Sequence, residues 1–200
     1  MDIMDARDKV AYRKDALSEA LKNGLLPRDV FDILSDILSE DSTIAAFAQN
    51  PKCPKTLLRR LAIDSDSWVR AGVAGNPACP QDVLAHFETD SDSSVRAHLA
   101  GNPSCPQDVL AHLETDSDSW VRADLARNPS CPQDALARLA EGASSFLGYR
   151  LAGNPSCPSD ILKYLVFSYD EDVAKAVVCN PSFPPDAFEC LAFDWDQINE

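Results

Sequence analysis

The chain has 200 residues, of which 45% are hydrophobic, and its formal net charge is −14. This composition is ordinary for a folded protein and argues against intrinsic disorder. No apolar run approaches the roughly 20 residues that a bilayer-spanning helix needs, and the charged N-terminus lacks the apolar core of a signal peptide. We therefore expect a cytoplasmic protein that does not bind membranes.

The acidic charge is concentrated in one part of the chain. Residues 1–60 carry ten basic and ten acidic groups, whereas residues 61–200 carry eight basic and twenty-two acidic groups. Such a surface repels phosphate backbones, which argues against direct binding of nucleic acid. It would steer a basic protein partner toward the chain. The alternative is that these carboxylates only keep the surface well solvated.

In chain order, residues 1–49 are predicted to form a helical N-terminal cap, with one amphipathic helix over 5–23 and a degenerate repeat over 27–49. From residue 50 onward, one motif recurs with a period of 26 residues. Its Asn-Pro pairs begin at Asn50, Asn76, Asn102, Asn128, Asn154 and Asn180. The period predicts repeats 1 to 6, which are residues 50–75, 76–101, 102–127, 128–153, 154–179 and a truncated 180–193. An acidic tail, 194–200, follows.

Each repeat is predicted to contain two short helices. In repeat 2, Pro80 suits the first turn of a helix, and Val83, Leu84 and Phe87 fall on one buried face. The Thr-Asp-Ser-Asp-Ser stretch supplies N-cap residues for a second helix of about eight residues, which could be α or 3₁₀. The glycines before Asn-Pro are predicted to end this helix in a left-handed conformation. They are Gly75, Gly101 and Gly153.

The unit Asn-Pro-x-Cys-Pro-x-Asp-Val-Leu…Asp-x-x-Val-Arg-x-x-Leu-Ala resembles the bacterial leucine-rich repeat variant (LRV) repeat, from about residue 50 to 193. The resemblance implies an all-α, right-handed solenoid of alternating α- and 3₁₀-helices, related in logic to HEAT and armadillo arrays. One member of that family carries an iron–sulfur cluster on an N-terminal cysteine-rich segment. The first cysteine here is Cys53, so that feature is not carried over and we expect no cofactor.

Five cysteines occupy the same place in successive repeats, and we call them the ladder cysteines. A repeat rise of about 9 Å would hold them too far apart for a disulfide or a shared metal, so they are predicted to be small buried residues. They are Cys53, Cys79, Cys105, Cys131 and Cys157. His86 and His112 are predicted to be surface residues. No nucleophile motif or phosphate-binding loop stands out, so no catalytic or metal site is expected.

Acidic and basic residues also recur at a helical spacing. Asp66, Asp92 and Asp118 each stand four residues before an arginine: Arg70, Arg96 and Arg122. Such pairs stabilise one helix modestly, and charges could also alternate between stacked repeats. The functional alternative is an arginine row that binds a carboxylate-bearing partner.

Positions that vary between repeats are the candidates for partner binding. One position of the second helix holds Trp68, Ser94, Trp120, Phe146 and Asp172, and the residues four further on are Gly72, His98, Asp124, Arg150 and Ala176. Both sets are predicted to point outward. Exposed aromatic rings flanked by the carboxylates of Asp66, Asp92 and Asp118 are typical of interface hot spots. The alternative is that the rings only cover gaps between neighbouring second helices.

These patterns favour a non-enzymatic protein-binding scaffold, a monomer or weak oligomer, whose partner is a basic protein. An acidic immunity protein or antitoxin-like neutraliser of a toxin is the most concrete form of this hypothesis. The alternative is a DNA mimic or a regulator of a DNA-binding protein. A direct nucleic-acid-binding repeat protein or base-processing enzyme is less consistent with the scarcity of basic residues after residue 60.

Overall fold

A computed structural model of the chain describes residues 41–168 and 170–184. The chain divides into two compact units, Met1–Pro80 and Gln81–Glu200. Within the described ranges every regular element is a helix. The predicted cap helix over 5–23, most of the segment 27–49, residues 185–193 of repeat 6 and the tail 194–200 lie outside the described residues.

The described part of the first unit contains three helices: α1 (Asp41–Ala48), α2 (Lys55–Leu61) and α3 (Ser67–Ala74). Helices α2 and α3 are the two helices of repeat 1, and α3 packs against α1. This contact is close, because a Cβ atom on Gly72 would lie 2.6 Å from the carbonyl oxygen of Ala45. The prediction that Gly72 points outward is therefore wrong: it is buried where α1 and α3 meet.

The second unit continues the same pattern. Its helices are α4 (Gln81–Leu84, extended by a 3₁₀ turn at Ala85–Phe87), α5 (Ser93–Ala100), α6 (Gln107–Leu113), α7 (Ser119–Arg127), α8 (Gln133–Ala140), α9 (Ser145–Ala152), α10 (Ser159–Leu165) and α11 (Glu171–Val178). The second helices of successive repeats, α5, α7, α9 and α11, pack against one another in order. Each of α6, α8 and α10 packs against the second helix of its own repeat.

The apolar positions of the two helices form the core, as the periodicity predicts. Leu58, Leu84, Leu110, Leu136 and Leu162 occupy the same place in five first helices and are fully buried. The predicted stripe of Val83, Leu84 and Phe87 is buried as well. Burying this periodic apolar surface against a neighbouring repeat stabilises helices that are too short to persist alone.

All described second helices are α-helical, which answers the question that the sequence left open. The alternation of α- and 3₁₀-helices implied by the resemblance is not seen there, because the described 3₁₀ turn ends a first helix, at Ala85–Phe87. The predicted left-handed ends are also wrong. Gly75 has φ −79° and ψ −7°, and its N–H still bonds to the carbonyl of Ala71 at 2.9 Å. Cys179 takes the same conformation in repeat 5, so the position does not require glycine.

The chain instead changes direction at the asparagine that precedes proline, and these asparagines also join the repeats. In the second unit, the Asn128 side-chain amide donates to the carbonyls of Ala100 (2.6 Å) and Asn102 (3.0 Å). Asn154 donates in the same way to Ala126 (2.8 Å) and Asn128 (2.9 Å). Equivalent bonds are made by Asn180 to the previous repeat and, in the first unit, by Asn76. Each of these four asparagines therefore binds two backbone carbonyls, 28 and 26 residues earlier in the chain.

Candidate functional site

The second helices of the second unit carry a contact between two exposed aromatic side chains. Trp120 and Phe146 occupy the first turns of α7 and α9 and are 58% and 40% exposed. Their ring centroids are 5.0 Å apart and their planes are inclined at 72°, an edge-to-face arrangement. The rings thus cover the junction between two second helices and still present apolar surface to solvent. The prediction that these side chains point outward is therefore confirmed, and so is their contact across neighbouring second helices.

Three further candidate residues lie on second helices of the same unit. The guanidinium carbon of Arg150 lies 5.3 Å from the centroid of the Phe146 ring, within the range of a cation–π contact. Asp124 is half-buried, and burial raises the pKa of its carboxyl although Arg150, His98 and Arg127 act in the opposite direction. His98 places Nδ1 2.8 Å from the carbonyl oxygen of Ser94. We call the outward surface around Trp120, Asp124, Phe146 and Arg150 the second-helix face.

The aspartates that the sequence assigned to partner binding are N-caps. Asp66, Asp92 and Asp118 accept hydrogen bonds from backbone N–H groups two residues later, at 2.8–2.9 Å. Hydrogen bonds from the Ser93 hydroxyl and from backbone N–H groups lower the pKa of Asp118. Such caps satisfy N–H groups that the first turn of a helix leaves without intrahelical partners. Trp68, which follows the first of these caps, is 67% exposed on α3 of the first unit.

The recurring arginines bind within the repeat framework. Arg96 forms a two-pronged ion pair with Asp116 of the next repeat, with Nε and Nη2 at 2.6 and 2.9 Å from the carboxylate oxygens. Its assignment to Asp92, four residues earlier, is therefore wrong, whereas the expected charge pairing between repeats is confirmed at this site. Nη1 of Arg70 donates to the carbonyl of Asp64 at 2.9 Å, and Arg122 donates to that of Asp116. In repeats 1 to 3 the arginine thus donates to a backbone carbonyl of the turn before its own helix.

The ladder cysteines are free and buried, as predicted. Burial raises the pKa of Cys53, Cys105, Cys131 and Cys157 to about 12, which keeps these thiols protonated. His86 and His112 are exposed, also as predicted, and His112 Nδ1 lies 2.9 Å from a carboxylate oxygen of Glu88. Across the described ranges, no three Cys, His, Asp or Glu side chains converge as metal ligands would.

Three residues that the sequence did not point to border the second-helix face: Tyr149, Arg127 and Lys175. Tyr149 is 52% exposed. It stands where earlier repeats have Ala71, Ala97 and Ala123, so this break in a small-residue pattern could have revealed it. It lines two grooves, of about 640 and 410 Å³. Phe146 and Lys175 line the larger groove, and Arg127 and Arg150 line the smaller one.

Exposed carboxylates lie elsewhere in the second unit, in the first turn of each first helix. They are Asp82, Asp108, Asp134 and Asp160. This row of carboxylates lies on first helices, whereas the aromatic contact lies on second helices, which also carry Asp124 and Asp172.

The structure is similar to a solved structure described as a leucine-rich repeat variant with a novel repetitive protein structural motif. The TM-score is 0.57 at 20% sequence identity, and the match covers 95% of this chain and 86% of that chain. The chain has the leucine-rich repeat variant fold. This confirms the fold that the Asn-Pro-x-Cys-Pro repeats predict.

No model of a protein family matches the sequence, and no curated protein matches it either. At this level of identity, the likeness to the LRV structure establishes the fold alone. Among the described helices, none has the length and apolar character needed to cross a bilayer. The surface of these LRV-like repeats is therefore where a function has to be sought.

Proposed function

We propose that the protein is a binding scaffold without catalytic activity, and that a partner protein docks on its second-helix face. The observation that carries this proposal is the exposed contact between Trp120 and Phe146 on adjacent second helices. Large aromatic side chains that remain exposed beside one another are favoured anchors of protein interfaces. Their positions on packed helices limit the conformational entropy lost on binding.

The partner that we propose is a basic protein, as an immunity protein or antitoxin-like neutraliser would bind. The support is the net charge of −14 and the exposed first-turn carboxylates of α4, α6, α8 and α10. A field of this sign raises the association rate of a basic partner, and it weakens as salt is added. The alternative is a DNA mimic, which the regular row of exposed carboxylates favours. It predicts that DNA competes for the same partner.

The test is affinity capture of the partner by three matched proteins. Trp120→Ala combined with Phe146→Ala should reduce affinity about 30-fold or more, since hot-spot residues contribute 2 kcal/mol or more. Tyr164→Ala is the control, because Tyr164 is 66% exposed but lies on a first helix. Equal capture by wild type and the double variant, or equal loss with Tyr164→Ala, would refute docking at this face. An association rate that does not fall with salt would refute the basic partner.

A further inference from the structure

We propose that the smaller groove of the second-helix face binds a carboxylate side chain of the partner, seated beside an apolar residue. The inference rests on the proposed function, because it assumes that a protein docks on this face. The groove, of about 410 Å³, is formed by α7, α9 and α11 with the turn after α11. We call it the arginine groove, and it is lined by Arg127, Tyr149, Arg150, Ala176, Cys179 and Pro181.

The charges that line this groove are of one sign. Arg127 and Arg150 contribute two guanidinium groups, and the lining contains no aspartate or glutamate within the described chain. Neither arginine is within salt-bridge distance of a carboxylate in that part of the chain. Two other arginines of the same unit form ion pairs with carboxylates: Arg96 with Asp116 at 2.6 Å, and Arg138 with Glu114 at 2.7 Å.

Asp124 is an acidic group that interacts electrostatically with both of these arginines. Arg150 and Arg127 both act to lower the pKa of its carboxyl, but burial outweighs them. The single carboxylate of Asp124, which also interacts with His98, therefore cannot neutralise both guanidinium groups. Lys175, on the neighbouring helix, already forms an ion pair with Glu171 at 2.8 Å and adds little free charge.

The remaining surface of the groove fits an apolar side chain. The Tyr149 ring and Ala176 supply the apolar part of its wall, and the Tyr149 ring continues into the larger groove beside Phe146. A guanidinium binds a carboxylate through two parallel N–H···O bonds, a geometry that a single positive charge does not impose. An extended segment carrying Asp or Glu next to an aromatic or aliphatic residue satisfies both parts of the groove.

A carboxylate in the groove is compatible with a partner that is basic as a whole. At physiological ionic strength, charges are screened beyond about 8 Å. The net charge of the chain then governs the encounter, whereas the side chains of the groove govern which residue is seated in it. A basic protein that presents one acidic and apolar segment meets both conditions.

The test selects phage-displayed random 12-residue peptides on the purified full chain at physiological salt. Wild type should enrich peptides with Asp or Glu beside an aromatic or aliphatic residue. The Arg127→Gln/Arg150→Gln variant should bind these peptides at least about tenfold more weakly. The Arg127→Glu/Arg150→Glu variant should instead enrich Lys or Arg. Arg138→Gln is the control, since Arg138 is exposed and pairs with Glu114 on a first helix, and it should select as wild type does.

Several results would overturn this inference. One is that wild type enriches basic peptides or no peptides. Another is that the double glutamine variant still enriches acidic peptides as wild type does. A third is that wild type binds a thymidine oligonucleotide and the double glutamine variant does not. The last result would identify phosphate as the ligand. If the Trp120 and Phe146 variants lose the partner while the arginine variants keep it, docking at this face stands and the arginine groove is wrong. If neither the aromatic variants nor the arginine variants lose the partner, both proposals are wrong.

Discussion

Replacing Asn154 by alanine should be among the most damaging single changes to the second unit. The side chain is fully buried between repeats 4 and 5. Its amide donates to the carbonyls of Ala126 and Asn128 at 2.8 and 2.9 Å. Its oxygen accepts from the N–H of Ser156 at 2.8 Å and so shapes the turn before the next helix. Asn154→Ala removes these three bonds at once.

The expected loss follows from the groups that remain. Alanine leaves the buried carbonyl of Ala126 without its partner, whereas the carbonyl of Asn128 still accepts from the N–H of Cys131 at 3.0 Å and Ser156 is exposed. An unsatisfied buried group costs about 1–3 kcal/mol, and each of the other two lost bonds costs about 1 kcal/mol or less. The variant should therefore lose about 2 kcal/mol or more in its free energy of unfolding, a large part of a typical domain's stability.

Urea unfolding followed by circular dichroism measures this loss, and Asn50→Ala is the matched control. Asn50 is exposed, and its oxygen accepts from the N–H of Lys52 at 2.9 Å, so its replacement removes the same turn bond at the surface. The control should lose about 1 kcal/mol or less. If Asn154→Ala lost no more than Asn50→Ala, the bonds between repeats would not stabilise the fold as argued.

Three further predictions follow from other contacts. Gly72→Ala should destabilise the first unit by about 1–3 kcal/mol in urea unfolding, whereas Gly101→Ala, with no atom closer than 3.6 Å to the added Cβ, should be neutral or stabilising. A hydrogen bond from Arg96 lowers the pKa of Asp116, so this pair stabilises the fold at a pH above the pKa of an unfolded aspartate, about 4. The stabilisation is lost as the pH falls through the pKa that Asp116 has in the folded protein. Asp116→Asn should therefore be less stable than wild type at neutral pH and lose less stability on acidification; parallel curves would contradict the pairing. Iodoacetamide at pH 8 should alkylate the exposed Cys179 well before the buried Cys157, whose pKa of about 12 keeps its thiol protonated. Mass spectrometry measures both alkylation rates, and equal rates would contradict the burial of Cys157.

The repeat, its two helices and its core could be predicted from sequence because burial is periodic. The apolar residue at the position of Leu110 recurs every 26 residues and is buried in each first helix. The repeat period and the helical spacing therefore identify the same buried surface. The N-caps were predictable for a similar reason, since the Asp118 oxygen and the N–H of Trp120 are two residues apart in the chain. These are interactions within one element or between copies of one residue.

Contacts between different positions of adjacent repeats could not be read in this way. Asn154 binds a carbonyl 28 residues earlier, and Arg96 binds Asp116, 20 residues later. These separations equal neither the period nor a helical step, and although Asn154 also binds the carbonyl of Asn128 one period earlier, the recurrence of the residue does not by itself show which group it binds. For the arginine, reasoning within one helix gave the wrong carboxylate.

The candidate site was only partly predictable, because it lies where repeat 4 abandons the pattern. Gly142 replaces the turn aspartate of earlier repeats, and its φ of +69° suits glycine and strains most other residues. Gly148 replaces the recurring arginine, and the cap of α9 is a Ser144 hydroxyl 3.4 Å from its donor. The bonds that hold the start of the second helix in repeats 2 and 3 are thus reduced in repeat 4.

The same repeat supplies the exposed aromatic rings of Phe146 and Tyr149 and lines both grooves. Tyr149 stands where earlier repeats bury an alanine, so it adds apolar surface to solvent without adding to the core. A repeat selected for stacking alone has no physical reason to combine weaker capping with greater apolar exposure. That combination is what a binding surface requires, since a partner covers the exposed rings and the neighbouring repeats hold the backbone. The departure of repeat 4 from the pattern therefore supports binding at the same place as the aromatic contact and the arginine groove.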